Sequence, residues 1–181
     1  MKAKRVLLVA AAVLVGFVAR IAGQHTTFDY PQWRGQDRDG AASALSEPTS
    51  WPETLTRRWQ VDVGEGYATP LVIGNTLCVF TRRGDDEVVT ALSADKGQVM
   101  WQTGYRAPYV PGSPAAAHGA GPKATPAFHE GKLFTLGISG IVAAFDGSSG
   151  KLLWRTPPPS EPPHFGAASS PVAPGGKRTG A

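Results

Sequence analysis

Arg106, Tyr109 and His118 lie in one Pro- and Ala-rich stretch, Tyr105 to Gly121 (YRAPYVPGSPAAAHGAG). A guanidinium holds anions, a phenol donates a hydrogen bond and an imidazole titrates near neutral pH, so the three read as a ligand-binding rim loop. A plain surface loop is the alternative, and the composition favours it. Elsewhere the residues that could do chemistry are dispersed. His25, His118, His129 and His164 are scattered, and none has an acidic partner at motif spacing. The sequence has no clustered Cys and His of a zinc site, no Gly-x-Ser-x-Gly nucleophile turn and no phosphate-cradling Gly-x-x-x-x-Gly-Lys-Ser/Thr loop. No catalytic residue, metal ligand or cofactor contact is assigned from these residues. Cys78, the single cysteine, sits in Leu77-Cys78-Val79-Phe80 and reads as a small buried hydrophobe in mid-strand rather than a reactive thiol.

The elements that must position these residues come in two copies. Residues 69–101 read TPLVIGNTLCVFTRRGDDEVVTALSADKGQVMW and residues 125–154 read TPAFHEGKLFTLGISGIVAAFDGSSGKLLW, each opening on Thr-Pro and closing on Gly-x-x-x-Trp. A unit of this size cannot bury its own apolar face and must stack on a sibling. Within each copy, short apolar runs alternate with turn residues and predict four strands. In the first they fall at Thr69 to Ile73, Thr76 to Arg82, Glu87 to Ser93 and Gln98 to Thr103. In the second they fall at Thr125 to His129, Lys132 to Ile138, Ile141 to Asp146 and Lys151 to Thr156. Four antiparallel strands joined by tight turns make one blade, so the fold class is all-β, a β-propeller with four-stranded antiparallel blades. The ring is incomplete, with two full blades plus partial flanking blades. Trp59 closes an earlier copy, and His164 to Pro171 opens a later one.

The closing segments ALSADKGQVMW (91–101) and AFDGSSGKLLW (144–154) resemble the tryptophan-docking motif of pyrroloquinoline-quinone-binding-like, or quinoprotein-type, repeat propellers. The resemblance covers residues 59–171 and extends to the YPQWRG lead-in. It implies blade docking through Trp59, Ala91, Gly97, Trp101, Ala144, Asp146, Gly150 and Trp154. The residues fit that reading physically: the small alanines leave room for a ring, the glycines take turn conformations, and Asp146 satisfies turn amides. Ser93 stands where the second copy has Asp146, which removes one turn-capping acceptor from the first blade.

The resemblance carries two functional implications. One is a non-enzymatic binding or assembly scaffold, similar to the propeller lipoprotein of outer-membrane β-barrel assembly. The other is a fragment of a quinoprotein alcohol or sugar dehydrogenase, in which pyrroloquinoline quinone and calcium belong to the full-length enzyme. Dehydrogenases of that family commonly carry adjacent cysteines over the cofactor, and a single cysteine cannot supply them. The scaffold is preferred, with the missing blades as partners and envelope proteins or a small ligand beyond them.

Charge and leader complete the reading. The formal charge is +4, but Lys2, Lys4, Arg5 and Arg20 account for four of the 18 Lys and Arg, so the rest balances its 14 Asp and Glu. A neutral body gives no electrostatic case for nucleic acid. Met1 to Arg5 is a basic head, and Val6 to Ala19 is an unbroken apolar run too short to span a bilayer comfortably; residues 1–23 therefore read as a signal peptide, or as an N-terminal anchor if uncleaved. A periplasmic or secreted protein follows. Residues 24–58 form an irregular lead-in punctuated by Pro31, Pro48 and Pro52, whose aromatic and charged YPQWRG-DRDG segment reads as a docking tether, with a catalytic loop as the alternative. Residues 172–181 form an irregular tail that abandons strand alternation, as a truncated N-terminal fragment would.

Overall fold

The computed structural model describes residues 29–41 and 48–172. The leader, and all of the tail beyond Val172, lie outside the described residues. Two four-stranded antiparallel sheets form, each in simple sequential order. The first contains β1 (Leu71–Ile73), β2 (Thr76–Arg83), β3 (Asp86–Ser93) and β4 (Val99–Arg106). The second contains β5 (Ala127–His129), β6 (Lys132–Leu136), β7 (Val142–Asp146) and β8 (Leu152–Arg155). The sheets remain separate, so the copies are two blades and not one continuous barrel.

The repeat is exact in register as well as in order. Ala91 pairs with Trp101 and Ala144 with Trp154, and in both blades the register shifts at the next residue. The closing turns share one backbone pattern: Gly97 N donates to Ser93 O and Gly150 N to Asp146 O, both at 2.8 Å. Gly97 and Gly150 have φ of 66° and 72°, a conformation glycine adopts without a Cβ clash. The side-chain exchange of Ser93 for Asp146 therefore leaves the main-chain turn intact.

Strand ends differ from expectation where charge decides them. β4 runs on to Arg106 because the ladder pairs it with Asp86 and its guanidinium meets Asp85 at 3.0 Å, so Arg106 ends a strand instead of starting a loop. The linker that follows contains a short 3-10 helix, Ser113–His118, initiated by Pro114 and continued by three alanines. Neither flanking piece forms a strand. Residues 57–66 carry only the Glu65–Arg82 bridge, and residues 156–172 are irregular. A strand needs a neighbouring ladder, and among the described residues no further sheet offers one to these segments.

The core lies between the blades. Leu71, Cys78, Phe80, Val89, Ala91 and Tyr105 of the first meet Leu133, Ile141, Ala143 and Phe145 of the second. β3 is buried on both faces from Glu87 to Leu92. Residues 62–66 run beside β2, bridged at Glu65 and Arg82, and there Gly66 closes on Phe80 O and the Thr81 hydroxyl donates to Val63 O. Cys78 is buried in this core, and burial pushes its thiol up to about 11, as suits a packing residue.

Candidate functional site

The rim-loop residues do not converge. Arg106 is held by Asp85, while its carbonyl accepts from Arg155 Nη1 at 3.2 Å. The Tyr109 hydroxyl donates to Pro163 O at 2.8 Å. The His118 ring stands edge-on to Tyr67, 6.5 Å between centroids. Each fastens the linker to a different segment. Of the other histidines, His129 Nε2 lies 3.6 Å from Glu130 Oε1, His164 packs edge-on to Phe165, and His25 lies outside the described residues.

The indoles of Trp59 and Trp101 meet the closing turn of the next repeat. A Cβ on Gly97 would fall 2.6 Å from the Trp59 ring, whose Nε1 donates to Ala94 O at 2.9 Å. A Cβ on Gly150 would fall 2.3 Å from the Trp101 ring. Glycine is required at both places twice over, by positive φ and by the ring pressed on its Cα. Trp154 is 48% exposed and packs only partly on Phe134, because among the described residues no strand follows β8 to bring it a glycine turn. Ala91 and Ala144 are fully buried across from their tryptophans. Asp146 accepts from the amides and hydroxyls of Ser148 and Ser149, and these bonds, led by the Ser148 hydroxyl, hold its carboxyl down at about 2.

A second seam was not anticipated from the sequence. Glu87 is 0% exposed, and its carboxylate rests on Gly137 of the other blade. Oε2 accepts from Tyr105 Oη at 2.8 Å, Oε1 accepts from Ile138 N at 2.7 Å, and Arg82 Nη2 lies 3.6 Å away. Arg82 spends its remaining donors on the carbonyls of Gly84, Ala107 and Ala120. Burial pushes Glu87 above the usual carboxylate range, against the opposing pull of Tyr105, Ile138 and Arg82. Burial likewise raises Tyr105, reinforced by the Glu87 charge. The signal was present in the hairpin RRGDDE: its ladder sets Arg82 opposite Glu87, and Glu87 opposite Tyr105. What the hairpin could not show was that the carboxylate would point into a neighbouring blade.

The lead-in joins the first strands of both blades. Tyr30 exchanges two backbone hydrogen bonds with Val72 of β1, and Pro31 O accepts from Phe128 N of β5 at 2.7 Å. Asp29 Oδ1 accepts from Gly74 N at 2.7 Å. Just ahead of those strands, the Thr-Pro openings are linked from copy to copy. Thr69 N donates to Thr125 Oγ1 at 3.1 Å, and Thr125 N donates to Ser170 Oγ at 3.0 Å. Ser170-Pro171 thus takes the place of a third Thr-Pro. Here Trp33, Arg38, Tyr67, Lys123 and Ser169 line a groove of about 410 Å³ with the three linked hydroxyl residues.

Residues 85–165 match the family model described as outer membrane protein assembly factor BamB. No curated protein sequence matches the chain. Among solved structures, BamB from Moraxella catarrhalis is 24% identical over 55% of this chain and 26% of its own, with a TM-score of 0.39. A europium-containing methanol dehydrogenase is 25% identical over 70% of this chain and 23% of its own, with a TM-score of 0.40. A quinohemoprotein alcohol dehydrogenase from Pseudomonas putida is 22% identical over 57% of this chain and 14% of its own, with a TM-score of 0.36. The chain thus spans about a quarter of the first two proteins and less of the third. Residues 85–165, which match that family model, take in strands of both four-stranded antiparallel sheets built on one repeat.

Proposed function

We propose that this chain is part of an exported β-propeller that works as a binding or assembly scaffold in the cell envelope. The observation that carries the reading is how the ionisable groups are used. Glu87, Arg82 and Tyr105, the group a reaction centre would most resemble, are buried and spend their polar atoms on bonds within the protein. They join the sheets, and Arg82 alone of the three also lines a recess, with Asp62, Glu65 and Arg83. Exposed Trp33 and Tyr67 instead line, with Arg38 and Lys123, the groove beside the Thr-Pro openings, a surface suited to holding a partner. The family description, an outer-membrane assembly factor, supports the same role, and the basic head and apolar run of residues 1–23 support export.

A calcium-bound quinone needs carboxylates to hold the ion. The groove lining contains none, and among the described residues no three His, Cys, Asp or Glu gather at one place. No redox step is assigned to the described residues. Photocrosslinking from position 67 in intact envelopes tests the scaffold. A crosslink to an outer-membrane assembly subunit is expected; quinone-dependent alcohol oxidation by the protein, without such a crosslink, would overturn the reading.

A further inference from the structure

The groove beside the Thr-Pro openings has a definite chemistry. Arg38 and Lys123 bring two cations to its lining, and no carboxylate lines it. Asp37 and Asp39 lie on the same loop as Arg38 but outside the lining, and Asp39 Oδ1 is occupied by Ala41 N at 2.7 Å. Trp33 and Tyr67 remain 44% and 60% exposed. Arg38 and Arg34 approach the Trp33 ring, at 6.0 and 5.5 Å from its centroid.

The loop that carries these groups is held in an unusual shape. Arg34 and Arg38 have φ of 64° and 62°, a region side chains with a Cβ seldom occupy. Arg34 closes the loop by donating to Asp39 O at 2.9 Å, and Gln32 Nε2 closes it again on Gln36 O at 3.0 Å. Two strained arginines kept in a short loop, with their guanidiniums beside an exposed indole, are a costly arrangement for a mere tether. Lys123, also in the lining, donates to Phe165 O at 2.9 Å. Arginine, tryptophan and tyrosine around a recess form the composition in which interface energy concentrates.

We propose that this groove binds an acidic peptide segment of a partner protein, its carboxylates on Arg38 and Lys123 and an adjacent apolar side chain between Trp33 and Tyr67. The proposal rests on the scaffold reading and names the class of partner. The charge pattern selects the sign of the ligand, and the exposed rings select a segment with an apolar residue beside its acid.

The test is calorimetric titration of the full chain with a capped peptide carrying two Glu flanking a Phe, with its Gln counterpart, and with citrate. Saturable binding of the Glu peptide is expected, weaker for the Gln peptide and for citrate. Arg38→Gln and Lys123→Gln are each expected to weaken it about fivefold, the loss of one partly exposed charge pair. Arg38 lies on the lead-in, outside both blades, so its variant reports on the groove even if Lys123→Gln perturbs the contact to Phe165. Equal binding of the Glu and Gln peptides, or affinity untouched by both substitutions, would overturn the proposal. Citrate binding as tightly as the peptide would replace it with a small-carboxylate site. If peptide binding fails while the envelope crosslink from position 67 persists, the groove assignment falls alone; if both fail, the scaffold reading falls with it.

Discussion

Glu87 is the residue on which the two blades most depend electrostatically. Removing a buried charge strands its partners, and here Arg82, Tyr105 and Ile138 N would all lose an acceptor. Glu87→Ala is expected to cost about 3 to 5 kcal/mol in urea unfolding. Gly137→Ala should destabilise the same seam without altering charge, because its Cβ would displace the carboxylate. A Glu87→Ala protein with the parent's midpoint would show that the carboxylate does not hold the blades. Asp146 acts within its own turn. Its folded pKa, about 2, lies below the ordinary 3.8, so its stabilisation is full above about pH 4 and is lost as pH falls toward 2. Asp146→Asn should therefore lower stability at pH 7 and flatten the decline between about pH 4 and 2, a difference readable from paired acid titrations followed by circular dichroism.

At the level of elements, the tryptophans of closing strands and the glycines of closing turns behave as one joint. Truncating a packed indole costs about 3 to 5 kcal/mol, and Trp101→Ala should fall there because its ring covers Gly150 between two sheets. Gly150→Ala should approach the same loss from the other side. Trp154→Ala, at a half-exposed ring, should cost clearly less, and equal losses at positions 101 and 154 would contradict the joint. The eight strands were legible because alternation and turn residues are local: every strand falls where the repeat puts one, within a few residues at each end. The ends that moved were set by pairing. β4 lengthened through its cross-strand partners Asp86 and Asp85, and the Trp59 segment stayed extended for want of a ladder. The contacts of the linker were hidden for the same reason, since Arg106, Tyr109 and His118 adjoin in sequence while their partners, Asp85, Pro163 and Tyr67, come from three different places.

At the scale of the molecule, the lead-in is as much part of the assembly as the blades. It pairs with β1 and β5 through Tyr30 and Pro31 and sets Trp33 and Arg38 at the groove, a placement that no periodicity in residues 24–58 could disclose. Copy-to-copy bonds from Thr69 to Thr125 and on to Ser170 run in one direction, each opening strand leaning on the next. Such nearest-neighbour coupling is how a repeat array accumulates stability.

The central claim, that successive repeats are blades joined by an indole laid on the next repeat's glycine, is tested most directly by proton NMR of the glycine Hα resonances. Ring currents should shift Gly97 and Gly150 Hα upfield, and Trp101→Leu should restore the Gly150 resonance while leaving Gly97 shifted. Both resonances at unstructured positions, or a Gly150 shift indifferent to Trp101, would contradict the account.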